Sequence, residues 1–330
     1  MIRFIRPLGV AAGLLACAFA ATVSGAFAQT YPSRPITIIV PFPPGGATDV
    51  LGRYLGELIH QALGQPIVVE NVSGAAGTLG VGRAVRAVPD GYTLSVGTST
   101  THMLTGGLYN LPFDLLTDLD PVILIGSEPL MILGKKTMPA NNLQELIAWL
   151  KANPDKASVG LAGVGAIGHL TGLAFQKETG THYQFIPYRG NPPVVQDLVA
   201  GQLDFVIEPS SNYYAQVNAG TVKAYAVTAK QRLAAVPQVP TVDEAGLPGF
   251  YASVWFGMWA PKGTPKDIIA KLNGVLADAF AKPEVQKSLT EKGLTLVPRD
   301  QQAPEALRVY QKQEAERWWP IMKAANIKGQ

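Results

Sequence analysis

Apolar positions along the chain fall into short β-branched runs that alternate with longer stretches of helical spacing, beginning at Ile36. The predicted strands of this first series are residues 36–41, 66–70 and 92–97, and the predicted helices are residues 48–63 and 78–88. This alternation is typical of strand–helix–strand units on largely parallel sheets.

A second series of the same kind follows. Its predicted strands are residues 157–162, 183–188, 203–208 and 223–228, and its predicted helices are residues 142–152, 167–177 and 192–200. The apolar stretch 121–134 between the two series has the pattern of a strand that crosses between two domains, and the Pro- and Val-rich residues 236–248 are predicted as the return crossing. The helical segments 265–281 and 301–325 are expected to close onto the first domain.

We therefore predict an α/β protein of two lobes, each a largely parallel sheet flanked by helices, with a cleft between them. Lobe 1 is expected to hold residues 29–127 and 229–330, and lobe 2 residues 128–228. Ligands of such sheets bind at the carboxyl ends of the strands, so the loops at those ends are where binding residues are sought.

The N-terminus has the pattern of an export signal. Arg3 and Arg6 precede an uncharged apolar stretch, and Ala26-Phe27-Ala28 is a small-x-small cleavage site before Gln29. We expect cleavage after Ala28 and a periplasmic location. Lipidation at Cys17 is a less favoured alternative, because the residues after it stay apolar.

Charge and cysteine content exclude several classes of protein. After residues 1–28 the chain has 25 basic and 24 acidic residues, a balance that predicts no nucleic-acid partner. Its one cysteine, Cys17, lies in the export signal and provides no disulfide framework or thiolate metal site. The chain has no H-E-x-x-H, G-x-S-x-G or phosphate-loop motif, and its four histidines are scattered, so neither catalysis nor a metal is predicted.

Two glycine-rich loops, each between a predicted strand and a predicted helix, are the main candidates for binding. Residues 41–49 read PFPPGGATD, and the unpaired first-turn amides of the helix that follows can hold a carboxylate without a basic side chain. Residues 160–169 read GLAGVGAIGH and match G-x-G-x-x-G, yet no acidic residue follows at the distance that a dinucleotide ribose requires. No cofactor is therefore expected, and the second loop becomes the facing side of the cleft.

Four further residues are candidates because each lies at or just after the end of a predicted strand or at a helix start. Ser99 follows the third strand, Arg189 follows the strand at 183–188, and Glu208 ends the strand at 203–208, where it suits a hydroxyl or amino group of the solute. His169 either donates to a ligand carboxylate as a neutral imidazole or packs. The full set of candidate binding residues is Phe42, Gly45, Gly46, Ala47, Thr48, Asp49, Ser99, Gly165, Ala166, Ile167, His169, Arg189 and Glu208.

These loops and their flanks resemble the Bug-type solute-binding proteins of tripartite tricarboxylate transporters. The likeness covers almost all of the chain after the export signal and includes YPSRPI at 31–36, the 41–49 loop, PDGYTL at 89–94, LPFD at 111–114, PYRG at 187–190 and GTP at 263–265. It implies a type II-like periplasmic binding protein fold that closes on a small organic acid. It also implies delivery of that acid to the membrane permease subunits of the transporter.

The chain departs from the family pattern at three positions of the cleft. Ala166 and Phe185 stand where the family commonly has a hydroxyl residue and a histidine, and Ala47 stands where Gly or Ser is frequent. We therefore expect a mono- or dicarboxylate that presents an apolar or aromatic body to the second lobe. A secreted α/β hydrolase or dehydrogenase that uses the same cleft is the competing class.

Overall fold

The computed structural model describes residues 31–324 and Met1. The expected export signal, its cleavage site and Cys17 lie outside the described residues. Within them the strands are β1 (Ile36–Val40), β2 (Ile67–Asn71), β3 (Thr93–Thr98), β4 (Leu119–Lys135), β5 (Ser158–Leu161), β6 (Gln184–Pro187), β7 (Phe205–Pro209), β8 (Val222–Val227), β9 (Ser253–Pro261) and β10 (Thr295–Leu296).

The α-helices of the same residues are α1 (Ala47–Leu63), α2 (Thr78–Val85), α3 (Ser99–His102), α4 (Leu143–Ala152), α5 (Ile167–Thr179), α6 (Asn191–Val199), α7 (Tyr214–Asn218), α8 (Lys266–Phe280), α9 (Pro283–Glu291) and α10 (Pro304–Ala324). Short 3-10 turns, among them Ser210–Tyr213, connect several of these elements. Apart from the crossing expected at 236–248, the predicted helices and strands are found within a few residues of their expected bounds, whereas α3, α7, α9 and β10 had no sequence prediction.

The strands form two groups that share β4. The first group has the order β2-β1-β3-β9-β4, and the second has the order β4-β7-β5-β6, with β8 and β10 also paired to β4. Residues 119–129 of β4 pair with β9, and residues 130–135 pair with β7 and β8. The apolar stretch predicted as a crossing strand is therefore one continuous strand that passes from one group to the other.

Strand direction differs between the outer and central parts of each group. The pairs β1–β2, β1–β3, β5–β6 and β5–β7 are parallel, but every pair that includes β4 or β9 is antiparallel. The expectation of largely parallel sheets thus holds for the outer strands only.

The chain returns to the first group where β9 begins, at Ser253, just after the predicted crossing segment 236–248. That segment forms turns, and in it Thr241 makes a single bridge to Val227. β9 instead brings Trp255 and Trp259 into the core, where they are 2% and 0% exposed.

A hydrogen-bond cluster joins the chain at the two crossings. The Leu130 amide donates to Thr228 Oγ1 at 2.9 Å, and that hydroxyl donates to the Ala252 carbonyl at 2.7 Å. The Thr228 amide also donates to the Leu130 carbonyl at 2.9 Å. These contacts tie the strand that leaves the first group to the segments that return to it.

The C-terminal helix α10 packs on the first group, as expected. Trp319 Nε1 donates to the Met103 carbonyl at 3.0 Å, and Gln311 Nε2 donates to the carbonyls of His102 and Leu115. His102 itself is fully buried and stacks on Trp259 with ring centres 4.0 Å apart. This histidine belongs to the core and has no access to a ligand.

Candidate ligand-binding site

The first candidate loop leads from β1 into α1. Gly45 has φ of 86°, a left-handed conformation that favours glycine, and Gly46 is the extended residue that begins the helix. The residue at the cap position is Gly46, which has no side chain to bond to the first-turn amides. Among the residues that the structure describes, the first-turn amide of Ala47 donates to Asn212 Oδ1 at 3.2 Å, whereas the amide of Thr48 has no partner.

Asp49 is directed away from this helix start. Its carboxylate accepts from the Gly45 amide at 2.9 Å, from Arg53 Nε at 3.2 Å and from Asn71 Nδ2 at 2.9 Å. Burial raises the pKa of this carboxyl, but the bonds from Arg53, Gly45 and Asn71 outweigh burial and lower it. Asp49 is therefore an ionised group that fixes the loop and is itself already paired.

The second candidate loop leads from β5 into α5. Gly165 has φ of 76°, and its amide donates to His169 Nδ1 at 3.0 Å. The Ile167 amide at the helix start donates to Thr100 Oγ1 at 3.2 Å, so a side chain of the first group reaches the second loop. Together with the bond from Ala47 to Asn212, this contact brings the two loops to opposite sides of one cavity.

His169 supports the second loop from behind. The ring is 9% exposed and meets Phe185 edge-on at 4.7 Å between centres. Burial lowers the pKa of the imidazole, which agrees with its role as the acceptor for Gly165. The sequence left two roles open for His169, donation to a ligand carboxylate and packing. The contacts with Phe185 and Gly165 are those of packing.

Glu208 lies at the end of β7 and is 1% exposed. Its Oε1 accepts from the Ala162 amide at 2.9 Å, and its Oε2 lies 3.4 Å from Asn191 Nδ2, a long hydrogen bond. Burial raises the pKa of this carboxyl to about 7, although both bonds lower it. Glu208 is thus a buried acid that titrates near neutral pH at the floor of the cavity.

The space between the loops, called here the central cavity, has a volume of about 530 Å³ including its mouth. Only about 50 Å³ of this space is open to the centre of a water-sized sphere, so the cavity is narrow in this structure. Its lining residues are Phe42, Pro43, Gly46, Ala47, Thr48, Thr98, Thr100, Ala162, Ala166, Ile167, Asn191, Pro192, Glu208, Pro209, Asn212, Val254 and Phe256.

The central cavity is apolar with a few uncharged polar groups. Of the described residues that line it, Glu208 is the only one with an ionisable side chain, and no Lys, Arg or His is among them. An anion bound in this cavity must therefore be held by backbone amides, hydroxyls and side-chain amides.

Seven of the candidates from the sequence line the central cavity: Phe42, Gly46, Ala47, Thr48, Ala166, Ile167 and Glu208. Two others line adjoining cavities, Gly45 in one of about 1210 Å³ that also includes Lys292, and Arg189 in one of about 870 Å³. Asp49, Ser99, Gly165 and His169 line none of these three cavities.

Several lining residues had no sequence prediction. Thr98 and Thr100 flank the candidate Ser99 and line the central cavity, whereas Ser99 does not. Asn191 and Asn212 each come soon after a predicted strand, a position at which a polar side chain is a usable signal. Val254 and Phe256 come from β9, and nothing in the sequence indicated that this strand passes the loops.

Comparison with known proteins agrees with this geometry. The family model described as "Tripartite tricarboxylate transporter family receptor" matches residues 51–327. Protein BugT of Bordetella pertussis is 35% identical over 99% of this chain and 99% of its own length. The chain belongs to this receptor family. Like the family, it is a periplasmic solute-binding receptor.

Solved structures of similar proteins share the fold of this receptor. The periplasmic binding protein BugD is 38% identical with a TM-score of 0.83, over 91% of this chain and 100% of that one. MatC of Rhodopseudomonas palustris, solved with bound malate, is 36% identical with a TM-score of 0.82 over 88% and 99%. Rpa4515 of R. palustris, solved with adipate, is 30% identical with a TM-score of 0.85 over 90% and 99%.

These likenesses confirm the prediction of a two-lobed periplasmic binding protein. In the part of the receptor that the structure describes, no helix is both long and apolar enough to pass through a bilayer. The same part contains no cluster of three His, Cys, Asp or Glu side chains able to hold a metal ion.

Proposed function

We propose that this receptor captures a small organic carboxylate in the central cavity and delivers it to the permease subunits of a tripartite tricarboxylate transporter. The observation that carries the proposal is the pair of helix starts, α1 and α5, on opposite sides of a cavity lined by no basic residue. Helix N-termini present free amides and a positive dipole end, which together hold an anion without a cation.

The first loop is the side that takes the carboxylate. Thr48 lines the cavity, and its amide lacks a partner among the described residues, so it is ready to donate. The Ala47 amide now donates to Asn212 Oδ1, an uncharged oxygen that a carboxylate can replace. That MatC holds malate and Rpa4515 holds adipate supports the same ligand class for this receptor.

The apolar lining selects the rest of the ligand. Phe42, Ile167, Val254 and Phe256 contribute apolar surface to the cavity. Burying ligand carbon against such surface is favourable by roughly 25 cal/mol per Å². We therefore propose an acid whose body is apolar, aromatic acids included, in preference to a densely charged tricarboxylate.

Capture is proposed to involve closure of two lobes, residues 29–127 with 229–330 and residues 128–228. The cluster around Leu130, Thr228 and Ala252 lies where β4 changes partners and where the chain enters β9, which makes it the natural hinge. A ligand that contacts both loops favours the closed state by its difference in affinity for the two states.

A calorimetric screen tests the proposal. Mono-, di- and tricarboxylates, amino acids and aromatic acids are titrated into the purified receptor, each beside its neutral amide as a matched control. We expect one-to-one binding of at least one acid, binding of its amide at least tenfold weaker, and recovery of the acid unchanged. Preference for the neutral amide, or conversion of the acid to a product as a secreted enzyme would give, contradicts the proposal.

Export is proposed to end with cleavage after Ala28. Intact mass of the protein recovered from a bacterial periplasm should match a chain that begins at Gln29. A mass that begins at a lipidated Cys17 would contradict this.

A further inference from the structure

We infer that Glu208 gives the second side of the central cavity a hydrogen-bond acceptor, and that the preferred acid carries a hydroxyl or amino donor on its carbon skeleton. The inference rests on the proposed function, because it names a feature of the acid that the cavity selects. It concerns the part of the ligand that the first loop does not hold.

The position of Glu208 leaves one of its oxygens available to a ligand. Oε1 is engaged by the Ala162 amide at 2.9 Å. Oε2 has only the long contact with Asn191 Nδ2 at 3.4 Å. The residue lines the central cavity although it is 1% exposed, so a donor on a bound ligand is the group that can complete its hydrogen bonding.

The second loop is shaped around this carboxylate. A methyl group added at Gly168, in the first turn of α5, would lie 2.5 Å from Glu208 Oε1. Glu208 therefore packs directly against a helix start, where the dipole favours its ionised, acceptor-only form. No basic side chain lines the cavity to neutralise it.

The other titratable groups near Glu208 are uncharged or turned elsewhere. Burial lowers the pKa of His169 on α5 and raises that of Tyr213 beside β7, so both stay neutral near pH 7. Glu128 on the adjacent strand β4 accepts from Ser210 Oγ and the Ser211 amide. Glu208 is thus the group whose ionisation near neutral pH changes the charge that the ligand meets.

A second carboxylate in the cavity also determines which acids bind poorly. A plain carboxylate ligand meets a like charge once Glu208 ionises and gains no compensating bond. A hydroxy acid meets the same repulsion, but its hydroxyl donates to Oε2. The ratio of the two affinities cancels the shared repulsion and isolates the donor contact.

The test compares acids that differ by one donor: propionate with 2- and 3-hydroxypropionate, succinate with malate and aspartate, and phenylacetate with mandelate. Dissociation constants are measured by calorimetry at pH 6 and pH 8 for the wild type and Glu208→Gln, which keeps the side-chain shape and an oxygen for Ala162. A hydrogen bond to a charged group corresponds to about tenfold or more in affinity. In at least one pair we expect that preference in the wild type, larger at pH 8 than at pH 6 and lost in Glu208→Gln.

The matched control is Glu128→Gln, because Glu128 is also 1% exposed and burial also raises its pKa to about 7. It should keep the wild-type preference. Equal binding of every parent acid and its derivatives, or a preference that survives in Glu208→Gln, overturns the inference while leaving the proposed function intact. Failure of every carboxylate to bind overturns both.

Discussion

Replacing Thr48 with proline deletes one backbone donor at the start of α1. The Thr48 amide is the second of the helix and has no partner among the described residues, so folding loses no hydrogen bond. The helix α6 of this chain already carries Pro192 and Pro193 in its first turn, which shows that this fold accepts proline there.

The loss of affinity follows from the type of hydrogen bond removed. A bond to a charged group contributes about 1.5–3 kcal/mol, so Thr48→Pro should weaken binding of the acid about 10- to 150-fold. The control is Thr48→Val, which removes the hydroxyl, keeps the branched shape and retains the amide. We expect the valine variant to stay within about threefold of the wild type, because a neutral hydroxyl adds less than the amide at a helix start.

Calorimetric titration of the tightest-binding acid into the three proteins separates these contributions, with circular dichroism to confirm that each is folded. Wild-type affinity in the proline variant would refute capture by the amide. An equal loss in the proline and valine variants would also refute it and would assign the contact to the hydroxyl.

Three further predictions concern stability and protonation. Gly168→Ala should lower the free energy of unfolding by about 1–3 kcal/mol in urea denaturation, because its methyl group would lie 2.5 Å from Glu208 Oε1. The control Gly45→Ala meets no atom within 4 Å, so its loss of stability should come only from the strain of its φ of 86°. An equal loss of stability in the two variants would contradict this prediction. Burial raises the pKa of Glu128 from 4.5 to about 7, so the contribution of its protonated form to stability is lost as the pH rises through this range. The wild type should therefore lose stability relative to Glu128→Gln between pH 5 and pH 8. A stability difference between the two proteins that stays constant over this range would refute the raised pKa. Burial lowers the pKa of His102 to about 3, so its ring should remain neutral at pH 5 by NMR, and a protonated ring there would exclude the buried stacking.

Local patterns were sufficient to predict most of the helices and strands. The helix α1 has apolar side chains on one face and ends at Gly64, whose φ of 75° is the left-handed conformation expected of a glycine cap. Strand pairing depends on distant segments and was predicted less well. Residues 236–248 and β9 are both apolar and extended in pattern, and only the tertiary structure decides which of them pairs with β4.

The site was predicted to the level of its loops. Strand ends and glycines pointed to two loops whose residues line the central cavity, because both features act within a few residues of chain. The sequence did not decide which of Thr98, Ser99 and Thr100 faces the cavity, since that depends on how β3 turns into α3. It also gave no sign that Asn212 would reach the start of α1, a contact between residues 165 positions apart.

The most direct test of the account is a crystal structure of the receptor with the tightest-binding acid from the screen. We predict a carboxylate oxygen accepting from the Thr48 amide, the body of the acid between the starts of α1 and α5, and no Lys, Arg or His in contact with the carboxylate. A carboxylate bound to Arg189 or Lys292, outside the central cavity, would contradict the account.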